Sequence, residues 1–125
     1  MMGNQGQAAE AVILLSPVSA AATANATSAW IDCRKYEGDL VFKLQIGALT
    51  GSITWTLEDA TDGAGTGAAG ITPNEGAFAA GAANQLQKRT VNASAQRGWM
   101  RCVGTIVTGP ALVAATLQSH PKYTT

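Results

Sequence analysis

The amino-acid sequence predicts a single small all-β domain of sandwich, jelly-roll-like or barrel type, with an extended N-terminal arm. A chain of 125 residues has room for one hydrophobic core. Apolar and polar residues alternate along several segments, and Gly, Pro or Asn residues separate those segments at short intervals. With 46% hydrophobic and 13% charged residues, the composition excludes a disordered chain. No apolar run is long enough for a membrane span, so we expect no membrane partner.

The N-terminal residues are interpreted as an arm over 1–27 that precedes a β domain over 28–125. Residues 11–24 read AVILLSPVSAAATA, which is apolar and small like the core of a signal peptide. No Lys or Arg precedes this segment and Pro17 interrupts it early, so we favour an arm with a weak strand at 11–15 over a leader. Such an arm is expected to become ordered only on contact with neighbouring subunits or a partner.

The central strands show the clearest alternation. Segments 40–46 and 53–57 each place large apolar side chains on one face, and residues 47–51 form a Gly-bounded loop between them. This pattern predicts a β-hairpin whose apolar faces contribute to one buried surface. The predicted buried side chains are Leu40, Phe42, Leu44, Ile46, Ile53, Trp55 and Leu57.

Further strands are predicted on both sides of this pair. Residues 29–34 alternate, residues 85–91 form a weaker strand, and segments 99–107 and 111–118 are expected to pair as a second hairpin across 108–110. Between them, the Gly/Ala-rich residues 60–84 are interpreted as a long loop that crosses over and packs on a neighbour. A short strand is expected within it at 77–80.

The sequence offers no constellation typical of an enzyme, so we predict a protein with no catalytic, cofactor-binding or metal-binding residues. Residues 65–70 match GxGxxG, but Pro73 follows instead of a helix and no acid lies about twenty positions later. His120 is the only histidine, which excludes a histidine-based triad or a His metal cluster. The adjacent acids Glu58 and Asp59 are interpreted as part of a turn at a strand end.

Two cysteines and four other residues are candidates for a structural or interface role. Cys33 and Cys102 both fall on the apolar phase of their strands, which indicates buried thiols; a disulfide is the alternative, if their Cα atoms lie within about 7 Å. Trp30 and Trp99 fall on mixed faces, where they either cover a second sheet or contact another subunit. The interface candidates are Trp30, Trp99, Arg101 and Phe78.

The formal charge is zero but unevenly distributed, because all eight acids lie in the first 75 residues. This pattern has two interpretations: a mixed solvated surface, or head-to-tail charge complementarity between copies. The neutral total argues against a direct nucleic-acid partner.

Several segments resemble the head decoration, or cement, proteins of tailed bacteriophages. The matching parts cover roughly residues 28–123 and are 29–32 (AWID), 36–40 (YEGDL), 58–62 (EDATD), 101–105 (RCVGT) and 112–117 (LVAATL). The resemblance implies a β-sandwich-like homotrimer that is assembled in the bacterial cytoplasm and binds the major capsid protein on the exterior of the virion shell. A tail-tube or head–tail connector protein is the alternative, and a carbohydrate-binding β-sandwich module is the third.

Overall fold

The computed structural model describes residues 10–20, 25–108 and 110–120. In this part of the chain, nine strands form two antiparallel sheets that pack face to face, which confirms the predicted small β-sandwich. No helix in these residues is long and apolar enough to cross a bilayer. The strands are β1 (Glu10–Ala20), β2 (Asn25–Thr27), β3 (Ile31–Asp32), β4 (Asp39–Leu49), β5 (Ser52–Ala60), β6 (Ala69–Ile71), β7 (Gln85–Asn92), β8 (Trp99–Thr108) and β9 (Ala111–Ser119).

The two sheets are built from strands that are distant in sequence. The first sheet has the order β1-β9-β4-β7, and the second has the order β2-β8-β5-β6, with β3 also paired to β8. From β4 onward, consecutive long strands therefore alternate between layers, and the large apolar side chains of both layers meet in the middle. All seven side chains predicted to be buried are at most 3% exposed, because the period-2 alternation places them on the inner faces.

Both predicted hairpins are wrong. β4 lies in the first sheet and β5 in the second, while β8 lies in the second and β9 in the first, so each short connection is an arch between the layers. The two arches are adjacent, and the Thr50 N–H donates to the Pro110 carbonyl oxygen at 3.0 Å. Alternation identifies the buried face of a strand, but it does not identify the sheet that the strand joins.

The Gly/Ala-rich segment 60–84 forms its strand at a different place from the prediction. The strand is β6, which pairs with β5, whereas in 77–80 only Ala80 makes a bridge, to Thr54. Residues 73–80 then cover the outer edge of β7. The Asn74 N–H donates to the Thr90 carbonyl oxygen at 2.8 Å, and the Thr90 N–H donates to the Glu75 carboxylate at 2.7 Å. These contacts lie within the chain and need no neighbouring subunit.

The expected arm over 1–27 is corrected for the residues that the structure describes. β1 pairs with β9 along its length, and β2 pairs with β8, so residues 10–20 and 25–27 belong to the domain's own sheets. Leu14 is 7% exposed and joins the core, so this segment buries apolar surface without a partner. The other residues of the expected arm, 1–9 and 21–24, lie outside the described residues.

Candidate functional site

A cluster of arginines and tryptophans lies on the outer face of the second sheet. Arg101 and Glu58 are directly opposite each other on β8 and β5, and the Arg101 Nε donates to the Glu58 carboxylate at 2.7 Å. The Arg101 guanidinium also lies over the Trp30 ring, with its carbon 4.5 Å from the ring centroid. This combination of an ion pair and a cation–π contact fixes the orientation of Trp30.

Trp99 is held in a similar way by the neighbouring ion pair. Arg34 donates to both carboxylate oxygens of Asp32, at 2.9 and 2.8 Å, and its guanidinium lies 5.4 Å from the Trp99 ring centroid. The side-chain hydrogen bond from Arg34 lowers the pKa of Asp32 to about 2. The carboxylate therefore stays ionised, and the pair stays intact, well below neutral pH.

The loop after β5 packs directly on both tryptophan rings. A Cβ at Gly63 would lie 2.9 Å from Trp99 Cζ3, and one at Gly65 would lie 2.8 Å from Trp30 Nε1. The loop is held by Asp62, which accepts hydrogen bonds from the N–H groups of Ala64 and Thr66. Only glycine allows this approach, so the Gly-rich sequence here serves packing against the cluster.

Of the four predicted interface residues, the structure brings three together. Trp30, Trp99 and Arg101 form the half-buried cluster just described. Phe78 lies apart from them and is 9% exposed, with the Arg89 guanidinium 5.1 Å from its ring centroid. Because Arg89 also donates to the Gly76 and Ala77 carbonyl oxygens, Phe78 anchors the crossover segment to β7.

The two adjacent acids do not form a turn. Glu58 and Asp59 both lie within β5 and point to opposite faces of the sheet. Asp59 is 5% exposed and pairs with Arg97, whose guanidinium donates to the carboxylate at 2.7 Å. The ion pairs of Asp59 and Glu58 join acids from the first half of the sequence to arginines from the second. Two of the eight acids thus pair across the halves within the chain itself, which favours the mixed solvated surface over pairing between copies.

The cysteines are free, buried and too distant to be bonded. Cys33 is 2% exposed and Cys102 is 0% exposed. The Cys33 N–H donates to the Gly98 carbonyl oxygen at 2.7 Å, so Cys33 lies beside Gly98. Cys102 lies four residues beyond Gly98, which is about 13 Å at the rise of a strand. A disulfide needs Cα atoms within about 7 Å, so the predicted pair of buried thiols is confirmed and the disulfide is excluded.

Both thiols are expected to be unreactive in the folded protein. Burial raises the pKa of both thiols, and that of Cys33 reaches about 12, with a further contribution from the Asp32 charge. Because burial favours the neutral thiol, the contribution of Cys33 to the free energy of unfolding is fully present below the unfolded thiol's pKa near 9.0 and is lost as pH rises toward about 12.

A thiol reagent at pH 8 should label neither cysteine until denaturant is added. Rapid labelling of the native protein would contradict the burial.

The outer face of the first sheet carries a groove that the sequence analysis missed. The groove has a volume of about 540 Å³ and is lined by residues 17–19, 45–47, 84–86 and 112–114. Its apolar wall includes Val18, Leu86 and Leu112, which are 43%, 51% and 48% exposed. The signal was the occurrence of leucine at two positions, 86 and 112, that face solvent in the alternating pattern of β7 and β9.

Two lysines lie beside this groove on the same face. Lys43 and Lys88 are directly opposite each other on β4 and β7, one cross-strand row from Gln45 and Leu86. Neither lysine forms an ion pair with any described residue, in contrast to Arg34, Arg97 and Arg101. Like charges in directly opposed positions destabilise a sheet, and an acidic group from outside the chain would relieve the repulsion between these two lysines. We call the groove and these lysines the groove face.

Comparison with known proteins does not assign the chain to a family. No protein-family model matches the sequence, and no curated protein matches it either. Within the described residues, no group of three or more His, Cys, Asp or Glu side chains is arranged to hold a metal ion.

Proposed function

We propose that this chain is a structural protein of a tailed-phage virion that binds and stabilises the outside of the capsid shell, with no enzymatic role. The segments of 28–123 that resemble head decoration proteins support this proposal. The β-sandwich fold is compatible with it. The proposed partner is the major capsid protein, and the proposed location is the capsid exterior.

The groove face is the observation that carries the proposal. Three half-exposed apolar side chains surround a concave surface, and such exposed apolar patches are typical of protein–protein contact sites. The adjacent lysines would gain a counter-charge from an acidic group on the partner. We propose that this face contacts the shell, and that many identical contacts over its surface add up to stable decoration.

Charge reversal on the groove face provides a test with a matched control. In co-sedimentation with expanded, undecorated shells, Lys88→Glu is expected to weaken binding about tenfold, which corresponds to ~1.4 kcal/mol per contact. Lys35→Glu is the control, because Lys35 is also exposed but lies in the turn before β4, 5.3 Å from the Tyr36 ring centroid. It should bind shells as the unmodified chain does.

Two other results would contradict the proposal. If Lys88→Glu and Lys35→Glu weaken binding equally, the loss of binding comes from the changed net charge of the chain and not from the groove face. If the unmodified chain does not sediment with shells and instead forms rings or tubes, the tail-tube or connector alternative is favoured. The carbohydrate-binding alternative gains little support from Trp30 and Trp99, since a guanidinium and a glycine-containing loop already pack on these rings.

A further inference from the structure

The two lysines of the groove face lack an acidic partner among the described residues. Lys43 and Lys88 are directly opposite each other on β4 and β7, and no described acid forms an ion pair with either of them. Asp and Glu are also absent from the segments outside the described residues, which are 1–9, 21–24, 109 and 121–125. A carboxylate side chain that binds between these lysines therefore comes from another molecule.

The groove begins one cross-strand row away from the lysine pair. Gln45 and Leu86 form the next outward-facing pair on the same two strands, about 6.8 Å along them. Gly47 and Ala114 also line the groove, and their lack of a large side chain leaves space beside Leu86. Alternate side chains of an extended peptide are also about 6.8 Å apart on one face, so such a peptide can reach the lysines and the groove at once.

The polar part of the groove lining suits a peptide better than an acyl chain. Gln45, Asn84 and Gln85 line the groove together with its apolar side chains. A carboxamide both donates and accepts hydrogen bonds, as the backbone of a peptide does, whereas an acyl chain offers neither group. The Gln85 side chain is held in place by the Ala82 N–H, which donates to its Oε1 at 2.9 Å.

A second copy that docks through the same face does not supply the missing acid. The lining segments 17–19, 45–47, 84–86 and 112–114 contain no Asp or Glu. Two groove faces placed against each other would therefore bring four lysines together without a carboxylate from either lining, and like charges across an interface oppose association. Charge complementarity thus favours a different, acidic partner.

We propose that the groove face binds an extended peptide segment in which an acidic side chain is followed, two residues later, by an aliphatic one. The acid lies between Lys43 and Lys88, and the aliphatic side chain enters the groove beside Leu86. The inference rests on the proposed function for the identity of the partner, the capsid shell, and it names the chemistry that this partner presents.

A synthetic peptide tests this recognition on the full chain without shells. The probe is acetyl-Gly-Asp-Thr-Leu-Thr-Val-Gly-amide, titrated into the protein and followed by two-dimensional NMR. A peptide with Asn in place of Asp should bind about fivefold more weakly, as expected for the loss of an exposed charge contact. A peptide with Ser in place of Leu should also bind more weakly, because it loses the apolar contact with the groove.

Substitutions in the chain assign the effect to the lysine pair. The variant that carries both Lys43→Gln and Lys88→Gln should bind the Asp and Asn peptides equally, with an unchanged circular dichroism spectrum. Lys35→Gln removes one positive charge from an exposed site in the turn before β4. This control should keep the preference of the unmodified chain for the Asp peptide.

Three results would overturn the inference. The first is that the unmodified chain binds no peptide at millimolar concentrations, and the second is that it binds the Asp and Asn peptides equally. The third is self-association of the unmodified chain that the double lysine variant abolishes, which would assign the groove face to a second copy.

Co-sedimentation with shells in the presence of excess peptide separates this inference from the proposed function. We expect the Asp peptide to release the chain from shells more effectively than the Asn peptide. A chain that binds shells but not the peptide would overturn the inference and leave the proposed function standing. A chain that binds the Asp peptide through the lysine pair but binds no shells would support the inference and contradict the proposed function.

Discussion

Replacing Leu44 with aspartate is expected to abolish folding of the domain. Leu44 is 0% exposed in the middle of β4, in register with Gln87 of β7 and Ala115 of β9. The change removes a buried leucine, which alone costs about 2–5 kcal/mol, and adds a carboxylate with no partner. The sum is comparable to the whole stability of a small domain, about 5–15 kcal/mol. Far-UV circular dichroism of the purified variant should show loss of the β signal.

The same substitution one residue along the strand is the control. Gln45 is exposed on the outer face of β4, so Gln45→Asp should change the free energy of unfolding by no more than about 0.5 kcal/mol. Equal stability of Leu44→Asp and Gln45→Asp in denaturant unfolding would contradict the assigned inner and outer faces of β4.

Gly51→Ala is expected to cost about 2–4 kcal/mol in the free energy of unfolding. Gly51 lies in the arch between β4 and β5 with a φ of +90°, a conformation that L side chains rarely adopt. A Cβ at this position would overlap the backbone of Thr108, the last residue of β8, where the other arch begins. The Thr50–Pro110 hydrogen bond holds the two arches together, so Thr108 has little freedom to move away.

Gly38→Ala separates the contact between the arches from the backbone strain. Gly38 also has a positive φ, +70°, but a Cβ there would have no neighbour within 4 Å. This variant should lose only about 1 kcal/mol, the cost of the conformation itself. Guanidinium unfolding of both variants measures the difference. Equal losses would show that the arches do not pack as closely as described.

The sequence was most informative about which face of each strand is buried. Leu40 to Ile46 and Ile53 to Leu57 alternate cleanly, and burial of one face requires that pattern whichever sheet holds the strand. The pairing of strands was not predictable in the same way. A short Gly-containing connection such as 50–51 suits a hairpin, but here it spans two layers because β4 pairs with β7 and β9 instead.

The candidate sites depended on contacts that are remote in sequence. The acceptor of Arg101 lies 43 residues away, so the ion pair that orients Trp30 could not be read from local pattern. The Arg34–Asp32 pair beside Trp99 spans only two residues, but its contact with that ring also depends on the fold. The arm was misjudged for a related reason. In the sequence, the run around Leu14 has no neighbouring core to join, whereas β9, about a hundred residues later, provides the strand that it pairs with.

Cryo-electron microscopy of expanded, undecorated shells incubated with the purified chain is the most direct test of the proposed function. We expect additional density at regular positions on the outer surface of the shell. The first sheet's groove, with Leu86 and Leu112 in its wall, should face the major capsid protein. Shells that remain bare at saturating concentrations of the chain would contradict the account.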